Sequence, residues 1–174
     1  MKKFIIRKTK GKGKGLFAAR DIKKDELIAK GNYNKLKKWT PKEIKECRID
    51  SDHWDYAGRG KYVLDNSPVS YINHSCEPNC ITKYKSMQVY EVRTYKDIKK
   101  GEELTHDYSA GAFDIFGKKD LWEIRCLCKS KNCRKILSRN YFELPKSKQK
   151  EYYSYLPPSI KKKYRKQFDI LFNE

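Results

Sequence analysis

A chain of 174 residues with 38% hydrophobic and 13% aromatic content is long enough to bury one core without staples and too apolar for a disordered tail. It carries 41 Lys and Arg against 22 Asp and Glu, a formal charge of +19; the excess is mostly lysine spread along the chain, which fits a solvated basic surface and leaves nucleic-acid contact through that surface open. No apolar run approaches the ~20 residues of a membrane span, and the stretch Phe4 to Ile6 behind the first lysines is too short for a secretory leader, so the expectation is an intracellular protein with no membrane partner.

In chain order, residues 1 to 34 read as short strands, "KKFIIRKT", "GKGKGLFAARDI" and "DELIAKGNY". Gly11, Gly13 and Gly15 alternate, so the backbone there can approach a ligand closely. Gly13 to Ala18 satisfies the G-x-G-x-x-A form of the dinucleotide fingerprint, but Asp21 to Asp25 reads as a turn into another strand where that fingerprint needs a helix. Residues 35 to 58 read as helical or irregular, an insert (35–60) on a β framework. Within it Thr40 caps a helix, with Pro41 in the first turn and Glu43 at the capping-box position.

"KYVLDN" is a strand closed by the turn signal Asp65 to Pro68, and "ITKYKSMQVYEVRTYKDI" two strands around Lys85-Ser86. "GEELTHDYSAG" follows a turn at Lys99 to Gly101. There is no internal repeat and no strand-helix alternation of a parallel sheet. From Pro145 to Glu174 eight Lys or Arg face three acids. There a helix over Ser147 to Tyr155 precedes a second, beyond Pro157-Pro158, whose stripe Ile160, Tyr164, Phe168 and Leu171 packs back on the domain.

The six cysteines are read as metal ligands or buried thiols rather than disulfides. Cys126, Cys128 and Cys133 in "CLCKSKNC" supply three corners of a zinc tetrahedron. Spacing alone leaves Cys47, Cys76, Cys80, His53, His74 and His106 as candidates for the fourth. Ser75 lacks the elbow motif and acid partner of a nucleophile.

"GKGKGLFA", "YINHSCEPNC" and "GEELTHDY", in that order and followed by "CLCKSKNC", resemble the SET-domain protein lysine methyltransferases with a post-SET zinc segment, over roughly residues 4 to 137. The resemblance implies a mostly β SET (β-clip) fold of short strands and small sheets in residues 1–112, a zinc-stabilised post-SET segment in 113–137 and a short basic helical appendage in 138–174. It implies S-adenosylmethionine as methyl donor, held by Asn73 and His74 and by Lys14 and Gly15 of the glycine loop. It implies a structural zinc on Cys76, Cys126, Cys128 and Cys133, leaving Cys47 and Cys80 as core or partly buried thiols.

Tyr108 corresponds to the family's essential tyrosine, orienting the amine. Tyr62 matches a channel-lining aromatic, while Phe113, Ile124 and Leu127 fall where residues close over substrate and adenine. His106 stands where the family carries Phe or Tyr and where the number of methyl groups is set; its titration near neutrality would make methylation depend on pH. Ser70 stands where many members carry arginine.

The implied activity is methyl transfer to a lysine amine of a protein, a histone or another, by a monomer at chromatin in a eukaryote or in the cytoplasm of a microbe. The competing class is an inactive SET-like module that binds nucleic acid or a protein partner. A +19 chain repels a basic tail unless acids line its groove, and Asp50, Asp52, Asp55, Glu102, Glu103 and Asp107 are the candidates.

Overall fold

The computed structural model describes residues 2–49, 51, 53–113, 124–138 and 140–173; Asp50 and Asp52 of the expected acidic patch lie outside them. The first two strands, β1 (Phe4–Lys8) and β2 (Lys14–Ala18), pair antiparallel with Phe4 opposite Ala18. Next, β3 (Leu27–Asn32) belongs to the largest sheet, whose order is β3-β8-β7, with β7 spanning Cys80–Ser86 and β8 Val89–Thr94. The central strand alternates as a half-buried strand should: Tyr90, Val92 and Thr94 point inward. Gly31 of β3 is required by that packing, because a Cβ there would sit 2.0 Å from the Tyr90 ring.

The insert holds the expected helix, α1 (Pro41–Glu46), and its capping box is complete: the Glu43 N–H donates to Thr40 Oγ1 and Thr40 N–H to Glu43 Oε2. Such a box stabilises a helix by about 1 kcal/mol. A strand follows that sequence reading took as helical or irregular, β4 (Trp54–Gly58), forming a hairpin with β5 (Lys61–Leu64). Its aromatic residues belong in a strand, and pairing with β5 overrides the weak local pattern.

Two strands of two residues each, β6 (Asn73–His74) and β9 (Thr105–His106), pair in parallel with His74 opposite His106. Buried Asn79 fastens them: its amide donates to the Glu103 carbonyl and accepts from the Thr105 N–H. Beyond the undescribed 114–123 segment, β10 (Ile124–Arg125) and β11 (Ile136–Leu137) frame the cysteine loop.

Three helices end the chain, α2 (Lys146–Tyr153), α3 (Pro158–Lys163) and α4 (Arg165–Asn173). The stripe from Ile160 to Leu171 is buried as its spacing predicts, though the helix is interrupted at Tyr164. These residues join Ile81, Met87, Phe113, Tyr141 and Tyr152 in a second core beside the first, which is built from Leu16, Ile22, Val63, Ile72, Tyr90, Val92 and Leu104 among others. The Tyr84 N–H of β7 donates to the Tyr155 carbonyl at 2.9 Å, stitching the helical segment to the sheet. No helix among the described residues is long and apolar enough to cross a membrane.

Candidate active site and metal centre

The β6/β9 pairing places "NHSC" beside "THDY", and Tyr108 follows β9 directly in a 3-10 turn, Tyr108–Gly111, capped by the Asp107 carboxylate accepting from the Ser109 N–H. The Tyr108 ring packs edge-on against His74 and His106, at centroid distances of 5.3 and 5.0 Å. Its hydroxyl donates to the Ile72 carbonyl at 3.3 Å and its N–H to His74 Nδ1 at 3.2 Å. Tyr108 keeps 37% exposure, so the ring is fixed at its base and open at one face.

Tyr108, His106, Tyr62 and Ile124 all line one cavity of about 230 Å³. Phe113 does not reach it: the ring stacks between Tyr141 and Tyr164 in the second core. Leu127 is about half exposed and lies near Gly11 of the β1–β2 turn. Ser70 reaches the cavity wall, donating to the Ser67 carbonyl at 2.7 Å. Burial pushes the His106 imidazole down to about 4, against the pull of Asp107, which moves the expected titration below neutrality.

On the β2 side of the pairing, the Asn73 amide donates to the Lys14 carbonyl at 3.0 Å and to Glu103 Oε1 at 2.7 Å. Glu103 also accepts from Lys12 Nζ at 2.6 Å. Gly15 permits this approach, since a Cβ would lie 2.7 Å from Glu103 Oε1 and 2.8 Å from Asn73 Nδ2. With both amide hydrogens spent inside the protein, Asn73 retains its Oδ1 as an acceptor, next to the Lys12–Glu103 ion pair. An amide acceptor beside the Glu103 carboxylate and the open backbone of Gly15 suits a ligand end that carries an ammonium, as the amino-acid portion of S-adenosylmethionine does.

The metal question turns on five side chains. One ligand atom from each of His74, Cys76, Cys126 and Cys128 lies within 4.8 Å of the others, and Cys133 packs against the same cluster. The sulfurs of Cys76 and Cys126 are 3.8 Å apart, close to the ~3.8 Å edge of a tetrahedron with ~2.3 Å zinc–sulfur bonds. Backbone N–H groups of Arg134 and Lys135 point at the Cys76 and Cys133 sulfurs, at 3.3 and 3.4 Å, and Ser130 Oγ lies 3.2 Å from Cys128 Sγ. Burial raises the Cys76 and Cys126 thiols, whereas at Cys128 the hydrogen bonds outweigh burial and lower it.

A soft, thiolate-rich donor set of this size fits zinc. His74 suits a supporting role in it. Its Nδ1 accepts from Tyr108, so the neutral ring carries its proton on Nε2, 3.3 Å from Cys76 Sγ, as a hydrogen-bond donor to that sulfur. Cys133, which packs against the same cluster, is then the candidate for the fourth corner. Cys80 is fully buried in the first core and Cys47 lies on the insert, at the end of α1.

Two residues that sequence reading gave no such role tie the metal loop to the tyrosine. Asp107, fully buried, accepts a two-pronged pair of bonds from Arg134 at 2.7 and 2.6 Å, and the Tyr152 hydroxyl reaches it at 3.4 Å. Arg134 directly follows Cys133, and that adjacency was its only sequence signal. The expected acids do not form one patch: Glu103 binds Lys12 and Asn73, Glu102 caps the Lys99 turn, Asp107 is neutralised, and Asp55 lines the cavity.

Residues 13–109 match the family described as "SET domain". The chain is 34% identical over 149 residues to "Histone-lysine N-methyltransferase trr" of Drosophila melanogaster, covering 76% of this chain and 6% of that protein. It is 31% identical over 140 residues to "Histone-lysine N-methyltransferase 2D" of Homo sapiens, covering 72% and 2% respectively. It therefore spans only a small part of the curated relatives it matches. Among solved structures, the methyltransferase domain of human "Histone-lysine N-methyltransferase SETMAR" superposes with a TM-score of 0.58 at 22% identity, over 79% of this chain and 58% of that one. This likeness establishes the fold.

Proposed function

The chain belongs to the SET-domain family, and from that premise we propose that it transfers a methyl group from S-adenosylmethionine to the side-chain amine of a lysine in a protein substrate. The observation that carries the reading is Tyr108, fixed between two imidazoles at the wall of a cavity and one parallel strand pair away from the Asn73–Lys14 cluster. When bound, the cofactor supplies an electrophilic methyl on a positively charged sulfur. Lys14, Gly15 and Asn73 hold its amino-acid end, while Ile124 and Leu127 cover the rest; His74, its ring nitrogens bonded to Tyr108 and Cys76, supports the site from behind.

The protein's share of the chemistry is positioning. A primary amine must be neutral and in line, and an enclosed channel beside a cation disfavours its ammonium form. Tyr108 Oη, already oriented by the Ile72 carbonyl, directs the amine lone pair, and Tyr62 confines the alkyl stem. Structural zinc on Cys76, Cys126, Cys128 and Cys133 holds the 124–138 loop against this site without entering the reaction. The relatives' names support a histone substrate and hence a chromatin location, with residues 138–174 as a helical buttress.

Incubation with methyl-labelled S-adenosylmethionine and a panel of histones, nucleosomes and lysate tests the reading. Label transfer should fall by at least about 10²-fold in Tyr108→Phe, the scale on which one oriented polar group matters, with S-adenosylmethionine still raising the melting temperature. Undiminished transfer by the variant sinks the assignment.

His106→Phe is expected to act on two readouts. No described residue hydrogen-bonds its ring, so in the cavity it is free to hold a water beside the amine; phenylalanine cannot, and mass spectrometry should show more di- and trimethylated product. Its folded pKa of about 4 lies below the ordinary 6.5. The unfolded chain therefore binds the proton first, and the stabilisation present above pH 6.5 is lost as the pH falls toward 4. The Phe variant should lose stability less steeply over that window, and parallel curves would count against the burial argument.

A further inference from the structure

The cavity has two chemically different parts. Around Tyr108 stand His106 and Ile72. Elsewhere on the wall Asp55 Oδ2 accepts from the Tyr33 hydroxyl at 2.9 Å and Asp65 Oδ2 from the Tyr90 hydroxyl at 3.2 Å, with the Tyr33 and Tyr90 rings 5.1 Å apart. Tyr84 links the two, its ring 5.9 Å from Tyr90 and its hydroxyl against Gly111 at the end of the Tyr108 turn.

In a chain of 41 Lys and Arg, no described Lys or Arg lines this cavity. Asp107 has Arg134 as its countercharge, whereas among the described residues Asp55 and Asp65 have only neutral hydrogen-bond donors. Burying carboxylates together without a cation is costly, and Asp55 responds: burial, opposed by the Tyr33 bond and aided by Asp65, pushes it up to about 6. Tyrosine rings around two such carboxylates form a receptor for an organic cation.

Resting on the methyltransferase reading, we propose that Asp55 and Asp65 form a second substrate subsite, which takes the cationic side chain of a lysine or arginine near the target lysine. The enzyme then selects lysines in basic sequence, despite its own charge, because the attraction is local and shielded from the surface lysines. Substrates with an isolated basic residue enter the Tyr108 end without that anchor.

The subsite can be tested apart from turnover. N-butylguanidinium, n-butylammonium and neutral n-pentanol are titrated into protein labelled with ¹³C at the aspartate carboxyls. The two cations should shift the Asp55 and Asp65 signals, in wild type and in Tyr108→Phe alike, and pentanol should not. Asp55→Asn keeps the shape and an acceptor for Tyr33, and with an unchanged melt it should weaken cation binding at least tenfold; Asp65→Asn gives a second reading if Asp55→Asn misfolds.

On whichever peptide is methylated, replacing a neighbouring arginine by citrulline should raise KM at least tenfold with little change in kcat, and Asp55→Asn should erase that difference. Equal responses to pentanol, no aspartate response, or a response to magnesium as strong as to guanidinium overturns the proposal. Aspartate shifts without methyl transfer to any protein would instead leave the subsite standing and defeat the methyltransferase reading.

Discussion

Cys126→Ser is expected to uncouple the 124–138 loop from the rest of the protein. Cys126 is buried between Cys76 and the β10–β11 pair, and its N–H is bonded to the Lys135 carbonyl. With zinc assigned to four thiolates, removing one weakens a bond set worth about 10–16 kcal/mol in small zinc peptides. Part of that loss appears as stability, at least about 4 kcal/mol, since loss of a metal belongs to the few single changes with so large an effect. The fold's other cores do not contain the site, so the damage should be local first.

Hydrogen exchange should therefore show lost protection at Arg125 to Leu137 while β3, β7 and β8 stay protected. Metal analysis should find close to one zinc per wild-type chain and far less in the variant, and a chelator should reproduce the exchange pattern in wild type. Metal-free protein with full protection in this loop would contradict the assignment. His74→Gln is the informative companion, because a donor to Cys76 Sγ should lower affinity about 10–100-fold where a direct ligand would abolish binding.

How far the sequence could have led is visible at particular residues. Strand β8 and the Thr40 box were legible because their signals are local: three residues of spacing at the box, and at β8 a β-rich run between turn signals whose alternation is mixed in sequence and regular only in burial. The meeting of Asn73 with Lys14 and of His74 with Tyr108 was available only through the family resemblance, since the partners lie 59 and 34 residues apart. The strand β4 was missed because "WDYAG" carries no alternation strong enough to compete with the capped helix before it.

Phe113 was expected at the substrate and stands instead between Tyr141 and Tyr164. The helical segment supplies stacking partners that no reading of "GAFD" could reveal. His106 shows the same limit in electrostatics. Its ordinary pKa implied a switch near neutrality, and burial moved that switch down to about 4. The acidic residues were countable in sequence, but their partners were not: Asp107 is neutralised by an arginine 27 residues away, whereas Asp55 is left facing a cavity.

Asp107 is also where the second large effect is expected. Asp107→Ala strands the Arg134 guanidinium, only 18% exposed, without its carboxylate, removes the cap from the Tyr108 turn, and leaves the Tyr152 hydroxyl without its acceptor. Breaking one side of a buried pair costs about 3–5 kcal/mol, and chemical denaturation should read a loss on that scale. Replacing both partners, Asp107→Leu with Arg134→Met, should recover much of it, because the penalty lies in the orphaned charge more than in the lost attraction.

Activity should not recover in step with stability. Arg134 spans Cys133, whose sulfur we assign to zinc, and Asp107, whose next residue is Tyr108, so the ion pair carries the position of the metal loop to the tyrosine. An apolar pair fills the space without fixing the 3-10 turn, and a misplacement of ~1 Å costs on the order of 10²-fold in rate. The expected result for the double variant is near-normal stability and S-adenosylmethionine binding with kcat reduced about 10²-fold. Full recovery of kcat would show that Asp107 and Arg134 only support the fold; recovery of stability alone makes them positioning residues for Tyr108.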